Sequence, residues 1–248
     1  MTPPSVVNMW CGPRTVSTAL MYSWRQRPDT RVFDEPFYGV YLRRHDPGHP
    51  GRAEIIAAMP ADAAAAIARI RAAADEPVRF VKNIGHHLDA LPQSILEEFT
   101  NALLIRDPAR VVASLDATLH VDFPATITGL PQQIRVLEHE LAAGRVPIVV
   151  DAHRLLADPP AVLRALCGAV GVSYDDAMLH WPAGPKPEDG VWAEHWYRSA
   201  HRSTGFGLPP NDHVVLTDSQ RALVEECQPL YDRLLAHHVD AQDRRRAG

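Results

Sequence analysis

The chain is poor in cysteine: Cys11, Cys167 and Cys227 are the only three in 248 residues, far apart, without a CxxC pair and without histidine partners at ligand spacing. That pattern excludes a disulfide framework and offers no metal site, and it fits reduced thiols in a cytoplasmic setting. Cationic excess is missing too. With a formal net charge of -5 the surface as a whole does not suit nucleic acid or an anionic membrane, so any anion site has to be built locally. No apolar run approaches the ~18 residues of a membrane span. Met1 to Pro4 lead into a short apolar stretch without the basic and hydrophobic regions of a signal peptide. Repeats and an interdomain linker are also absent, so residues 1–240 read as a single domain and 241–248, with Arg244-Arg245-Arg246, as a flexible tail. The 46% of hydrophobic residues is enough for a sizeable core.

What is present is a series of short apolar runs alternating with helical patterns. Ser5 to Trp10, Arg31 to Phe33, Val78 to Lys82, Asn101 to Ile105 and Val146 to Val150 read as strands. Ala61 to Ala74, with Asp62 near its start, reads as a helix, as do the segments opened by Pro108 and by Asp158-Pro159. Arg43 to Arg52, with two prolines and two glycines, reads as a loop. Strands that are apolar throughout and alternate with helices predict a three-layer α/β/α domain around a mainly parallel sheet.

Two segments carry anion chemistry. Cys11-Gly12-Pro13-Arg14-Thr15-Val16-Ser17-Thr18-Ala19 lies between a predicted strand and a predicted helix, where backbone N–H groups and the positive helix end can face a phosphate. Arg14 adds a cation, and Thr15, Ser17 and Thr18 add hydroxyls. A plain helix cap would use the same residue types. The Gly-Lys step of a Walker A loop is missing, since Ser17-Thr18 stand in its place. The second segment is Arg106-Asp107-Pro108 at a strand end, with Ser114 eight residues beyond Arg106. A strand-end cation and a hydroxyl two turns into the next helix can meet one anion at the open edge of a parallel sheet, although an Arg-Asp pair there can also be a simple salt bridge.

Together these segments resemble the family of sulfotransferases that use 3′-phosphoadenosine-5′-phosphosulfate (PAPS). Pro13-Arg14-Thr15-Val16-Ser17-Thr18 is similar to the family's 5′-phosphosulfate loop, Arg106 and Ser114 to its 3′-phosphate pair, and Ile148 to Pro159 to its strand followed by an Asp-Pro helix start. Asp34-Glu35-Pro36-Phe37-Tyr38, and Trp192 to Tyr197 running on to Phe206, resemble a bacterial and plant subgroup. The resemblance implies a P-loop NTPase-like fold, PAPS as co-substrate without a metal, donor contacts from Gly12 to Thr18, Arg106 and Ser114, and a small-molecule acceptor. Arg202-Ser203-Thr204 would stand in for a C-terminal Gly-x-x-Gly-x-x-Lys form that this chain lacks. Val16 replaces the family's usual glycine, so the backbone there is expected to avoid the left-handed region.

In-line sulfuryl transfer needs a cation at the leaving phosphate and a base for the acceptor proton. The resemblance gives the first role to Arg14 and offers Glu35, or His86 with its neighbour His87, for the second. Glu35 is preferred; both histidines also read as solvated loop residues. Lys82 either reaches the donor sulfate or merely ends its strand. Trp192, Trp196 and Tyr197 either line an acceptor pocket or pack on the core. A phosphotransferase using ATP, with Asp151 ending a Walker B-like run, and a non-catalytic nucleotide-binding module are the alternatives.

Overall fold

The computed structural model describes residues 5–239 apart from 47, 49, 50, 74, 75, 120–123 and 210–213, so the expected tail at 241–248 lies outside the described residues. The chain begins β1 (Ser5–Cys11), α1 (Ser17–Arg25), β2 (Thr30–Asp34), α2 (Tyr38–Arg44), α3 (Arg52–Ala58), α4 (Ala63–Ala72) and β3 (Val78–Ile84). It continues through β4 (Thr100–Ile105), α5 (Pro108–Leu119), α6 (Leu130–Ala142), β5 (Ile148–Asp151), α7 (Ala152–Ala157) and α8 (Pro159–Ala169). The short helices α9 (Ala193–Trp196) and α10 (Arg198–Arg202) precede the long α11 (Asp218–Leu235).

The five strands pair in the order β2-β3-β1-β4-β5, and every pairing is parallel. Alternate residues of each strand therefore face opposite layers. Val7, Met9 and Cys11 of β1 join Leu20, Met21 and Trp24 of α1 and Leu163 and Leu166 of α8 in one cluster. Trp10, Leu103, Ile105 and Val149 join Ile70 of α4, Leu137 of α6 and Leu234 of α11 in another. Both faces of the sheet are covered, as a parallel sheet with unbroken apolar strands requires. Asp62 and Asp158 cap α4 and α8 through the N–H groups of Ala65 and Ala161. The fifth strand starts only at Ile148, because Pro147 has no N–H to give a ladder.

The expected loop from Arg43 to Arg52 is shorter than its prolines and glycines suggested: α2 runs to Arg44 and α3 begins at Arg52. Among the described residues no helix is long and apolar enough to cross a membrane. Since the chain leaves β1 toward β2 on one side and β4 toward β5 on the other, the carboxyl ends of β1 and β4 flank the switch point of the sheet. Gln133 of α6 sits beneath that point and donates to the carbonyls of Trp10 (2.9 Å) and Leu104 (2.8 Å).

Candidate active site

The loop after β1 is held by a close approach of backbones. A Cβ at Gly12 would lie 2.6 Å from the Thr128 carbonyl oxygen, and one at Gly85 would lie 2.9 Å from the Gly129 carbonyl oxygen. Only glycine lets the ends of β1 and β3 pack on the 128–129 turn. Thr15 is buried, and its hydroxyl donates to the Gly12 carbonyl at 2.7 Å, which closes the loop. Arg14 (φ 60°) and Val16 (φ 59°) are both left-handed. The expectation that Val16 avoids this region is thereby overturned. A left-handed residue with a β-branched side chain costs about 1–2 kcal/mol, offset here because the Val16 side chain packs against the core and its carbonyl accepts the first bond of α1 from Leu20 N. No side-chain cap hydrogen bond is made at the start of α1, so its first-turn N–H groups are not satisfied by a capping side chain.

Across the switch point, Arg14 Nε donates to Ser114 Oγ at 2.8 Å and Arg106 Nη1 donates to the Arg14 carbonyl. The Arg106 guanidinium is held below its ordinary value by burial first, and then by Arg110 and Arg14. Three cations crowded at one place, with Asp107 and Asp151 opposing them at Arg106, concentrate positive charge locally in a chain of net negative charge. Asp151, the end of the Walker B-like run, is otherwise engaged: it accepts from Tyr231 Oη at 2.9 Å and caps α7 through Arg154 N at 3.0 Å.

Glu35 follows β2 with φ 47°, its N–H bound to the Lys82 carbonyl at 2.8 Å. Lys82 Nζ is buried and lies 2.8 Å from Asp34 Oδ1, 2.6 Å from Glu35 Oε1 and 2.6 Å from Tyr197 Oη. Lys82 thus neither ends its strand idly nor points at an open space. Burial alone would lower its pKa, but the carboxylates of Asp34 and Glu35 outweigh burial and hold it well above the ordinary value. Burial pushes the Glu35 carboxyl up, with Lys82 opposing and the Asp34 charge adding to the rise. Neither the part of Asp34 nor the link from Lys82 to Tyr197 leaves a signal in the sequence beyond a lysine inside an apolar strand.

His87 is not solvated, whereas His86 is half-buried. His87 is fully buried, stacks on Tyr38 at a centroid distance of 4.8 Å, and places Nε2 3.6 Å from Glu35 Oε2. Neither of its ring nitrogens has a hydrogen-bond partner among the described residues. Burial first, then His86 and Lys82, keep its pKa well below the ordinary value. His86 is turned toward Tyr41 (4.8 Å between centroids), and burial lowers it to about 4. Of the two, His87 is the neighbour of Glu35.

Trp192 and Tyr197 are buried and pack with Tyr38 and Tyr41 of α2, while Trp196 is only partly covered. Ser203 and Thr204 engage Trp181: its Nε1 donates to Ser203 Oγ at 3.0 Å and its N–H to the Thr204 carbonyl at 3.1 Å. Arg202 is exposed. The structure therefore brings Arg14, Arg106 and Ser114 together, sets Glu35 beside His87 and Lys82, and engages Ser203 and Thr204 with a different segment.

Residues 6–238 match the family model described as a sulfotransferase domain. Two Arabidopsis thaliana proteins named branched-chain-amino-acid aminotransferase-like protein 1 and 2 are 35% and 34% identical over 96% and 94% of this chain. The chain spans only 43% and 42% of their lengths. Among solved structures, a sulfotransferase from Alicyclobacillus acidocaldarius superposes with a TM-score of 0.55 at 14% identity, covering 95% of this chain and 96% of its own. The sulfotransferase domain from the curacin biosynthetic pathway gives 0.54 at 14% identity, covering 91% and 98%. At such identity these two likenesses concern the fold.

Proposed function

The chain belongs to the sulfotransferase-domain family, and from that membership we propose that it moves a sulfuryl group from PAPS to a hydroxyl or amine of a small-molecule acceptor. The observation that carries this reading is the convergence of Arg14, Arg106 and Ser114 on the switch point between β1 and β4. Glu35 stands at the end of β2, two strand spacings or roughly 10 Å from β1.

The residues present suit the donor. The uncapped N–H groups at the start of α1 and the hydroxyl of Thr18 would meet the 5′-phosphosulfate. Thr15 would add only its N–H, because its hydroxyl proton already goes to Gly12. Arg106 and Ser114 would hold the 3′-phosphate, and Arg14 would neutralise the charge that builds on the leaving phosphate. PAPS supplies the activated sulfuryl group. As the acceptor oxygen bonds to sulfur, the sulfur–oxygen bond to the phosphate breaks, the electron pair leaves with the phosphate, and Glu35 takes the acceptor proton. The three cysteines are free and buried, which supports a reducing, cytoplasmic setting.

Calorimetric titration with 3′-phosphoadenosine-5′-phosphate, and with ATP with and without Mg²⁺, tests the reading. Binding that needs the 3′-phosphate and no metal supports it; a preference for ATP with Mg²⁺ would overturn it in favour of phosphoryl transfer.

A further inference from the structure

We propose that Tyr197, acting through Asp34 and Lys82, is a positioning residue for Glu35, so that the aromatic segment 190–197 completes the proton-accepting group from a distance of more than 150 residues in sequence. The proposal rests on the function proposed above for its chemical meaning, and on hydrogen-bond counting for its structure.

An ammonium has three N–H bonds, and those of Lys82 are matched by Asp34 Oδ1, Glu35 Oε1 and Tyr197 Oη. While those bonds hold, Lys82 has none left for a donor sulfate. A phenol has one proton and two lone pairs. Tyr197 Oη receives Lys82 Nζ and Trp192 Nε1 (3.1 Å), donates to Asp34 at 2.8 Å, and lies at the long distance of 3.5 Å from Glu35 Oε1, so its one proton is committed chiefly to Asp34. Asp34 Oδ2 also accepts from Gly190 N at 3.1 Å. Every polar position is filled except one: Glu35 Oε2 has no hydrogen bond among the described residues, and its approach to His87 at 3.6 Å is too long to be one. One carboxylate oxygen is fixed and the other is available to an acceptor.

Charge points the same way. Two carboxylates share one ammonium in a buried place, leaving one negative charge in excess, and uptake of a proton by Glu35 removes that excess. The groups that face Glu35 are Lys82 from β3, Asp34 from β2, Tyr197 beyond α9, His87 after β3, Tyr38 of α2 and Cys11 of β1. Asp34 and Lys82 act on it with opposite sign. Tyr197 lies between them and sets how much of the ammonium each carboxylate receives.

The test is carboxyl NMR titration of the whole chain labelled with ¹³C-glutamate, with Glu35→Gln identifying the Glu35 resonance, and nucleotide binding followed by calorimetry. Asp34→Asn is expected to lower the Glu35 midpoint and Lys82→Met to raise it, each by about one pH unit. Tyr197→Phe, which keeps the ring, is expected to move the midpoint measurably while affinity for 3′-phosphoadenosine-5′-phosphate stays within about twofold. An unmoved midpoint in Tyr197→Phe, or shifts of the same sign in Asp34→Asn and Lys82→Met, would overturn the proposal. Should Lys82→Met fail to fold, Tyr197→Phe and Asp34→Asn decide the matter alone. Failure of the wild-type chain to bind the nucleotide would sink the sulfotransferase reading, yet the Glu35 titration would still decide the role of Tyr197.

Discussion

Arg14 Nε donates to Ser114 Oγ across 2.8 Å, joining the loop after β1 to α5 over the switch point of the sheet. Residues exactly one hundred apart in number meet because β1 and β4 are neighbours in a parallel sheet whose connections diverge there. The Arg106 guanidinium binds the Arg14 carbonyl from the same side. Three side chains and one backbone carbonyl thus form a single cationic unit.

Breaking that unit has a graded expectation. Arg106→Ala removes a charged donor and is expected to weaken binding of 3′-phosphoadenosine-5′-phosphate by about 10–100-fold, the equivalent of ~1.5–3 kcal/mol. Ser114→Ala removes a neutral partner and should cost about 3–10-fold. Adenosine 5′-phosphosulfate, which lacks the 3′-phosphate, should bind both variants and the wild type alike. Calorimetry with the two nucleotides reads all of this.

Much of the scaffold was legible because its signals are local. Apolar β-branched runs gave the strands, and Asp62 and Asp158 announced their helices as caps. The ends of α2 and α3 were hidden, since the prolines and glycines between Arg43 and Arg52 blur where one helix stops and the next starts. The Lys82 cluster was not legible at all: Asp34, Lys82 and Tyr197 are brought together by sheet order and by the return of the chain after α8, neither of which leaves a spacing to read. The backbone of Val16 was not legible, because residue preference alone does not contain the packing that offsets it.

Val16→Gly is expected to stabilise the fold. Relief of the left-handed valine contributes about 1–2 kcal/mol, and the greater freedom of glycine in the unfolded chain takes back about 0.5–1. A net gain near 1 kcal/mol corresponds to a rise in Tm of roughly 2–4 °C. A fall in Tm on thermal scanning would mean that lost packing of the valine side chain outweighs the strain.

Gly12→Ala should act in the opposite direction. The added methyl would sit 2.6 Å from a backbone oxygen of Thr128, so the loop or the 128–129 turn must shift. A loss of about 2–3 kcal/mol in denaturant unfolding is expected, together with weakened nucleotide binding, because the same backbone leads into Arg14.

Acid should destabilise the chain through His86 and His87. Their folded pKa values are depressed, to about 4 for His86 and well below the ordinary value for His87. The unfolded chain therefore binds more protons below about 6.5, and stability present above that pH is lost as it falls. For His86 the window runs from about 6.5 to about 4 and is worth at most ~3 kcal/mol. Urea midpoints measured across it should decline less steeply in His86→Gln than in the wild type.

Glu35 carries the reverse sign, and Glu35→Gln separates stability from chemistry. Its folded pKa is raised by burial, so the folded chain holds a proton that the unfolded chain releases. The stabilisation is full below the ordinary carboxylate value and is lost as pH rises through the folded value. Glutamine keeps an oxygen for Lys82 and removes the buried charge in excess, so the variant should unfold at higher urea than the wild type at pH 7, with the two converging toward pH 4. If Glu35 accepts the acceptor proton, the same substitution should lower sulfuryl transfer by about 10²–10⁴-fold with affinity for 3′-phosphoadenosine-5′-phosphate unchanged. A variant that is more stable, binds the nucleotide normally and still transfers at the wild-type rate would move the proton-accepting role to His87, whose unpaired Nε2 lies 3.6 Å away.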